Sequence, residues 1–292
     1  MRFQDILTRC GLPPDQTCVI LHTPVEKSLR RVFAAFAVEE PDLFDAYQNN
    51  HPAGPEATLK ARPWLVTFVN TQGHDFVLIG VFKSQGWQHH GYAALNGDPR
   101  HVALQTRFGV PLFPTDSPEG MGGRAVFDLV LTDVLSDLRG RLLIAHKPSQ
   151  SYVRLANSFD AEVVEITRLA HFASAAPDWR DFVVTAAEVR SMPGDWAARL
   201  REWRGVYLIT DEKDGARYVG SAYGAENLLG RWRNHVAQEN GVTVELKERL
   251  AGGFRFSILE LLAPDADPAL VLAIETSWKN RLHTRKHGLN LN

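Results

Sequence analysis

The sequence predicts an α+β protein of two successive domains. A chain of 292 residues exceeds one typical domain, short β-type runs crowd its middle, and a ββααβα order follows Gly205. With 45% hydrophobic residues the chain can fill packed cores, which excludes disorder as a whole. Residues 1 to about 60 show helical spacing at Val25 to Phe36 and Leu43 to Tyr47. The stretch NNHPAGPEA then cannot continue a helix, and it connects an N-terminal cap to a β-rich part. From Trp64 the runs WLVTFVN, FVLIGVF after a QGHD turn, AVFDLVLT, RLLIAH and EVVEI read as short strands, hence a curled sheet or small β-barrel. Between Gln88 and Arg124 a Pro/Gly-rich stretch with DPRH and PLFPTDSPEGMGG is long for a compact barrel, and reads as a mobile loop or a binding element.

Thr185 and Glu188 stand at capping-box spacing and open a helical segment that restarts after Pro193-Gly194 with Asp195 as its N-cap. This places a first domain at 1–190, a linker helix at 191–203 and a second domain at 204–292. That second domain reads strand (GVYLIT), turn, strand (ARYVG), helix (LLGRWRNHVAQ), helix (VELKERLA), strand (FRFSILEL) and helix (ALVLAIETSWKNRL).

The formal net charge is -2, from 32 Lys+Arg against 34 Asp+Glu. Residues 204–292 hold 12 basic and 11 acidic side chains, leaving 20 and 23 for the rest. Neither part has the surplus needed for strong non-specific binding to a polyanion, so any nucleic-acid contact must be local. The first residues, MRFQDILTRC, mix charge with apolar groups and do not form a cleavable signal sequence. With only Cys10 and Cys18, read as buried or inert thiols, a reduced cytoplasmic setting is expected. No apolar run approaches the roughly 20 residues that span a bilayer.

Gly205-Val206-Tyr207 and Tyr218-Val219-Gly220 form two similar tripeptides with their tyrosines 11 positions apart. Arg231 and His235 are four apart on a predicted helix, hence on one face, and Glu275 and Asn290 come later in the chain. Taken with YVGSA, GRWRNH, FSILE and the closing GLN, these residues resemble the nuclease domain of GIY-YIG endonucleases, such as phage intron-encoded homing endonucleases, over roughly residues 204 to 292. The resemblance implies a ββααβα fold that cleaves DNA phosphodiester bonds with one divalent ion, Mg²⁺ or Mn²⁺, held by Glu275. It implies Tyr207, Tyr218, Arg231, His235, Glu275 and Asn290 as the catalytic set.

The chemistry asks for such groups: a water must lose a proton, and charge growing on the phosphoryl oxygens must be met. Mg²⁺ keeps several waters and commonly takes one or two carboxylates plus substrate phosphate, so Glu275 alone predicts weak binding without DNA. Arg231 offers a planar fork of permanent charge for the phosphate. Tyr207 or Tyr218 is the base by resemblance, with Tyr207 favoured, and either needs help because a free phenol has a pKa near 10. His235 relays the proton or binds the phosphate, and Asn290 orients a hydroxyl or a backbone group. Some relatives carry Lys directly after the second motif's glycine, where this chain has Ser221. The loop YGAEN also lengthens the approach to Arg231 and leaves Arg233 as a competitor.

Lys279, Arg281, Arg285 and Lys286 either follow a phosphate backbone or complement a helix end, and Trp278 reads as a core anchor. His89, His90 and His101 lack partners at zinc spacing. FVLIGVFKSQGW with RLLIAH and SYVRLA resembles the barrels of PUA-like domains, which would place base-stacking groups around Trp87, Tyr92 and Tyr152. The expected function is a restriction or defence endonuclease with an N-terminal DNA reader. A structure-selective repair or recombination nuclease and a non-catalytic nucleic-acid-binding protein are the alternatives. One active site cuts one strand at a time, so double-strand cleavage calls for a homodimer or sequential nicks.

Overall fold

Helix α1 (Phe3–Arg9) buries Phe3 and Leu7, one turn apart, and leads into β1 (Thr17–His22), a strand buried at every position. A computed structural model describes residues 1–71, 73–115, 122–147, 151–170, 172, 175–238 and 244–291. It divides the chain into Met1–Ser174 and Ala175–Asn292.

In the first unit, α2 (Arg30–Glu39), α3 (Pro41–Gln48) and α4 (Ala53–Ala61) precede β2 (Trp64–Asn70) and β3 (Asp75–Gly91). Then come α5 (Tyr92–Gly97), α6 (Pro99–Phe108), β4 (Gly123–Leu131), β5 (Leu142–Ala145), β6 (Val153–Leu155) and β7 (Glu162–Ile166). Among the described residues the strands build one seven-stranded mixed sheet, β6-β1-β2-β3-β5-β7, with β4 on the same edge of β3 as β5. β6 and β7 end the order unpaired with each other, so the sheet is a curled half-barrel and not a closed barrel. Its core gathers Phe3, Leu21, Val66, Phe68, Leu78 and Ile144, each such buried side chain contributing about 1.5–3 kcal/mol.

Several expectations change in this unit. TCVILH falls in the region expected to be helical, but it is β1, parallel to β2, because a strand buried on both faces has no alternation to betray it. NNHPAGPEA does end α3, yet α4 starts inside it. Pro55 lies in the first turn, where its missing N–H would have no intrahelical partner anyway. FVLIGVF is only the buried half of the 17-residue β3, whose exposed continuation is held by β4. DPRH is no loop: Asp98 accepts from the backbone of Arg100 and caps α6 with Pro99 in its first turn. Of the Pro/Gly-rich stretch, residues 116–121 lie outside the described residues.

The second unit runs β8 (Val183–Thr185), α7 (Ala186–Arg190), α8 (Gly194–Glu202), β9 (Arg204–Asp211), β10 (Arg217–Ala222) and α9 (Asn227–Ala237). It closes with α10 (Val244–Lys247), β11 (Phe254–Leu262), α11 (Pro268–Arg281) and α12 (Thr284–His287). The ββααβα order is therefore present, and β8 adds a strand to give the sheet β10-β9-β11-β8. The Thr185–Glu188 capping box forms on α7. Asp195, in contrast, sits inside the first turn of α8, and Pro193 takes the N-cap position. Residues 175–203, expected to be divided between the first domain and a linker helix, pack within this unit: β8 pairs with β11, and Phe182 meets Trp196, Trp203 and Trp232.

Candidate active site

The two tripeptides face each other across the β9–β10 hairpin, with Gly220 directly opposite Tyr207. Both glycines are steric necessities. A Cβ on Gly220 would stand 2.5 Å from the Tyr207 hydroxyl oxygen and 2.8 Å from Cε1 of Tyr218, so the bare glycine lets both rings lie across the strand. A Cβ on Gly205 would stand 2.3 Å from the Glu260 carbonyl, where β11 bulges between Ile258 and Glu260.

Above the hairpin, α9 buries Leu228, Leu229, Trp232 and His235, and Trp232 locks it through Phe182, Phe256 and Tyr207. The longer loop before it is anchored as well: the Asn227 side-chain amide donates to the Arg201 carbonyl at 2.8 Å. This register turns Arg231, half-buried, and His235 towards the tyrosines, while Arg233 is exposed. Of the two arginines, Arg231 is the one beside the tyrosines.

The hydroxyl of Tyr207 and Nε2 of His235 are 2.7 Å apart, both fully buried. Burial pushes the His235 imidazole down to about 3, helped by the Arg231 charge, so the ring is neutral at neutral pH. A neutral ring accepting at Nε2 carries its proton on Nδ1, which has no partner among the described residues. Burial also raises both phenols, and the Arg231 charge opposes that rise at each. Arg231 bonds the Tyr207 side chain, and its Nε is buried without a partner among the described residues.

Glu275 projects from the buried stripe of α11 with 8% exposure. One carboxylate oxygen accepts from the Ser221 hydroxyl, and the other pairs with Lys279 Nζ at 2.8 Å. Ser221 therefore does not replace a lysine; it orients the carboxylate, and the cation arrives from one turn along α11. The i,i+4 spacing of Glu275 and Lys279 is the signal that could have revealed this pair. Among the described residues no group of three or more His, Cys, Asp or Glu gathers as a metal cage. A single oriented carboxylate still fits a hydrated Mg²⁺ or Mn²⁺ completed by phosphate, provided Lys279 yields an oxygen.

Asn290 does not reach the tyrosine rings. Its amide accepts from the Val219 N–H at 2.9 Å and donates to the Val219 carbonyl at 2.8 Å, acting as a one-residue strand on the edge of β10. It thereby fixes the backbone between Tyr218 and Gly220. Gly288 must be bare here too, because a Cβ would stand 2.5 Å from the Arg217 carbonyl.

Of the outlying candidates, Arg281 lies over the Trp278 ring at 4.0 Å, Arg285 donates to Asn280, and Lys286 is exposed. Trp278 is half-buried and donates to Glu260 at 2.8 Å. In the first unit, Trp87 is exposed under Lys60, Tyr92 stacks on Phe113, and Tyr152 lines a cavity with His51. The second unit also has a cavity of about 530 Å³ around Asp211, Asp214, Glu245 and Glu248. Lys213 and Arg249 line it too, Arg249 paired with Asp211 and Asp214, and none of the tyrosine cluster lines it.

Residues 204–290 match the family described as the GIY-YIG catalytic domain. This segment is a GIY-YIG domain. No curated protein matches the chain. Two solved structures are similar to it. One, a mutant catalytic domain of intron endonuclease I-TevI, has 23% identity over 31% of this chain and 94% of that chain, with a TM-score of 0.26. The other, the catalytic domain of homing endonuclease I-TevI, has 24% identity over 30% and 98%, with the same TM-score of 0.26. The match makes residues 204–290 an endonuclease domain acting on phosphodiester bonds, and a nuclease domain implies DNA as its substrate. No described helix is long and apolar enough to cross a membrane.

Proposed function

We propose that the chain is a metal-dependent DNA endonuclease of restriction or defence type, with the unit Ala175–Asn292 cutting and the unit Met1–Ser174 choosing the target. The observation that carries the catalytic part is the Tyr207–His235 contact of 2.7 Å beside Arg231. Tyr207 is the phenol with a proton acceptor already in contact, so it can take a proton from water while passing its own to Nε2 of His235. No free phenolate need form, which matters because burial disfavours one. Arg231 meets the charge that grows on the phosphoryl oxygens, and the approaching phosphate in turn makes a protonated His235 tolerable beside it. Tyr218 holds the water or phosphate, Ser221 orients Glu275, and Asn290 keeps β10 in place. A divalent ion, held by Glu275 with water and phosphate, supplies Lewis-acid charge when bound.

The restriction reading is supported by the charge balance: without a basic surplus on either part, target choice must come from shape or from a base. Incubating the chain with plain, base-modified and branched DNA, with and without Mg²⁺, tests it. Metal-dependent cutting that favours one modified duplex is expected. Cutting that favours branches would replace restriction by repair, and cutting that persists with chelator would remove the metal.

A further inference from the structure

The first unit holds a cavity of about 510 Å³, within the range of small-molecule sites, whose lining includes His22, Tyr47, His51, Phe113, Arg124 and Tyr152. Its walls offer flat faces. The rings of His22 and Tyr152 lie 29° from parallel, and Phe113 is held by Tyr92 stacked behind it at 5.6 Å and 9°. A rigid aromatic wall of this kind suits a planar heteroaromatic ring better than a peptide or an alkyl chain.

The polar groups narrow the class further. Arg124 is the one formal charge among the lining residues, with no carboxylate beside it in the lining and no ion pair among the described residues. Its guanidinium lies 5.7 Å from the Phe113 ring centre, placing a permanent cation next to an aromatic face. His22 and His51 are pushed by burial down to about 3 and about 4, so both are neutral at physiological pH. His51 binds the Tyr152 hydroxyl through Nδ1 at 2.9 Å, which fixes its ring. Nε2 of each imidazole is buried without a partner among the described residues. An unpaired buried group of this kind is costly, and the polar edge of a ligand would offset that cost.

An aromatic wall, neutral hydrogen-bonding groups and one unpaired cation together describe a base carrying a phosphate. We propose that this cavity receives a single nucleotide, its base against the Phe113 and Tyr152 walls with its edge at the imidazoles, and its phosphate at Arg124. The nucleotide comes from a DNA strand, an assignment that rests on the endonuclease reading; a free nucleotide has the same chemistry. Extruding a base costs a few kcal/mol, recovered only where the pocket recognises that base, so the site discriminates between DNAs.

The test uses the full chain with Glu275→Gln, to prevent cutting. It is titrated with duplexes that differ only in cytosine or adenine modification, each with 2-aminopurine beside the variable base, and with free mononucleotides. One duplex should bind about tenfold or more tighter than the rest, with a rise in 2-aminopurine fluorescence. Arg124→Gln should lose that preference. Val25→Trp should lose it too, because Val25 is 62% exposed at the lining and a larger ring there obstructs the cavity without entering a core. Binding of free nucleotides alone, lost in both variants, would keep the site and change its source. Discrimination unchanged in both variants, or no discrimination by the parent, would overturn the proposal. Cleavage by the chain with Glu275 intact is scored separately, so an inactive nuclease and a wrong pocket give different results.

Discussion

The Tyr207 hydroxyl stands 2.7 Å from Nε2 of His235, a neutral imidazole held from α9 of the GIY-YIG domain. In the proposed mechanism Tyr207 passes its proton to this ring. Tyr207→Phe should keep the fold, since the ring still packs on Trp232, and should lower the single-turnover cleavage rate about 100-fold or more. Tyr218→Phe should cost less. If Tyr218→Phe is the more damaging of the two, the base has been assigned to the wrong ring.

Arg231→Ala should reduce the rate constant roughly 100-fold with a much smaller change in DNA affinity, as for other preorganised charge stabilisers. Arg233→Ala, at an exposed position on the same helix, should change neither by much. Single-turnover rates alongside binding isotherms separate the two effects, and a loss confined to affinity would make Arg231 a binding group only.

The GIY-YIG domain was legible in part because its motif glycines answer a steric demand that a residue with a Cβ does not meet. Gly220 is bare because two tyrosine rings lie across it, and Gly205 because β11 bulges against it. What the sequence hid was mostly tertiary. β1 is buried at every position and so carries no alternating pattern, and β8, three residues long, is too short to show one and is defined by pairing with a strand some 70 residues on. Asn290 stands out in the sequence, but its bonding as a side-chain strand mimic depends on which backbone group it faces. Ser221 reads as a departure in the sequence, and it gains its meaning only beside Glu275.

Lys279 pairs with one oxygen of Glu275, the carboxylate proposed to hold the metal. Lys279→Met should therefore lower the Mg²⁺ concentration needed for half-maximal cleavage several-fold, while Glu275→Ala should abolish metal-supported cleavage with the fold intact. Titrating cleavage against Mg²⁺ checks both. An unchanged or higher Mg²⁺ requirement in Lys279→Met would show that the lysine does not compete for the site.

His235 also makes the chain acid-sensitive. Its folded pKa is depressed to about 3 from an ordinary value near 6.5, so between those values the unfolded state binds a proton that the folded state refuses. Stability from this group is complete above about pH 6.5 and falls as the pH drops towards 3. His235→Gln should be less stable at pH 7.5, where it loses packing and the Tyr207 contact, yet decline less steeply on acidification. Urea midpoints at several pH values from 7.5 to 4.5 measure the difference, and parallel curves would count against a neutral buried imidazole.

The nuclease fold starts well upstream of its catalytic residues. All the candidate catalytic groups lie after Gly194, so a fragment starting there holds the chemistry, but not the packing. Phe182 is fully buried against Trp196, Trp203 and Trp232, and Trp232 in turn holds α9 and hence Arg231 and His235. β8 covers part of the edge of β11, and the Thr185–Glu188 box caps α7. Removing Phe182 alone is expected to cost about 3–5 kcal/mol, by comparison with buried Phe truncations, and the lost strand adds exposed edge. A fragment of Ala175–Asn292 should unfold cooperatively in urea and nick supercoiled DNA with Mg²⁺, whereas one starting at Gly194 should have a much lower midpoint and lose nicking at the same protein concentration. Equal midpoints for the two fragments would show that residues 175–193 are a tether and not part of the nuclease core.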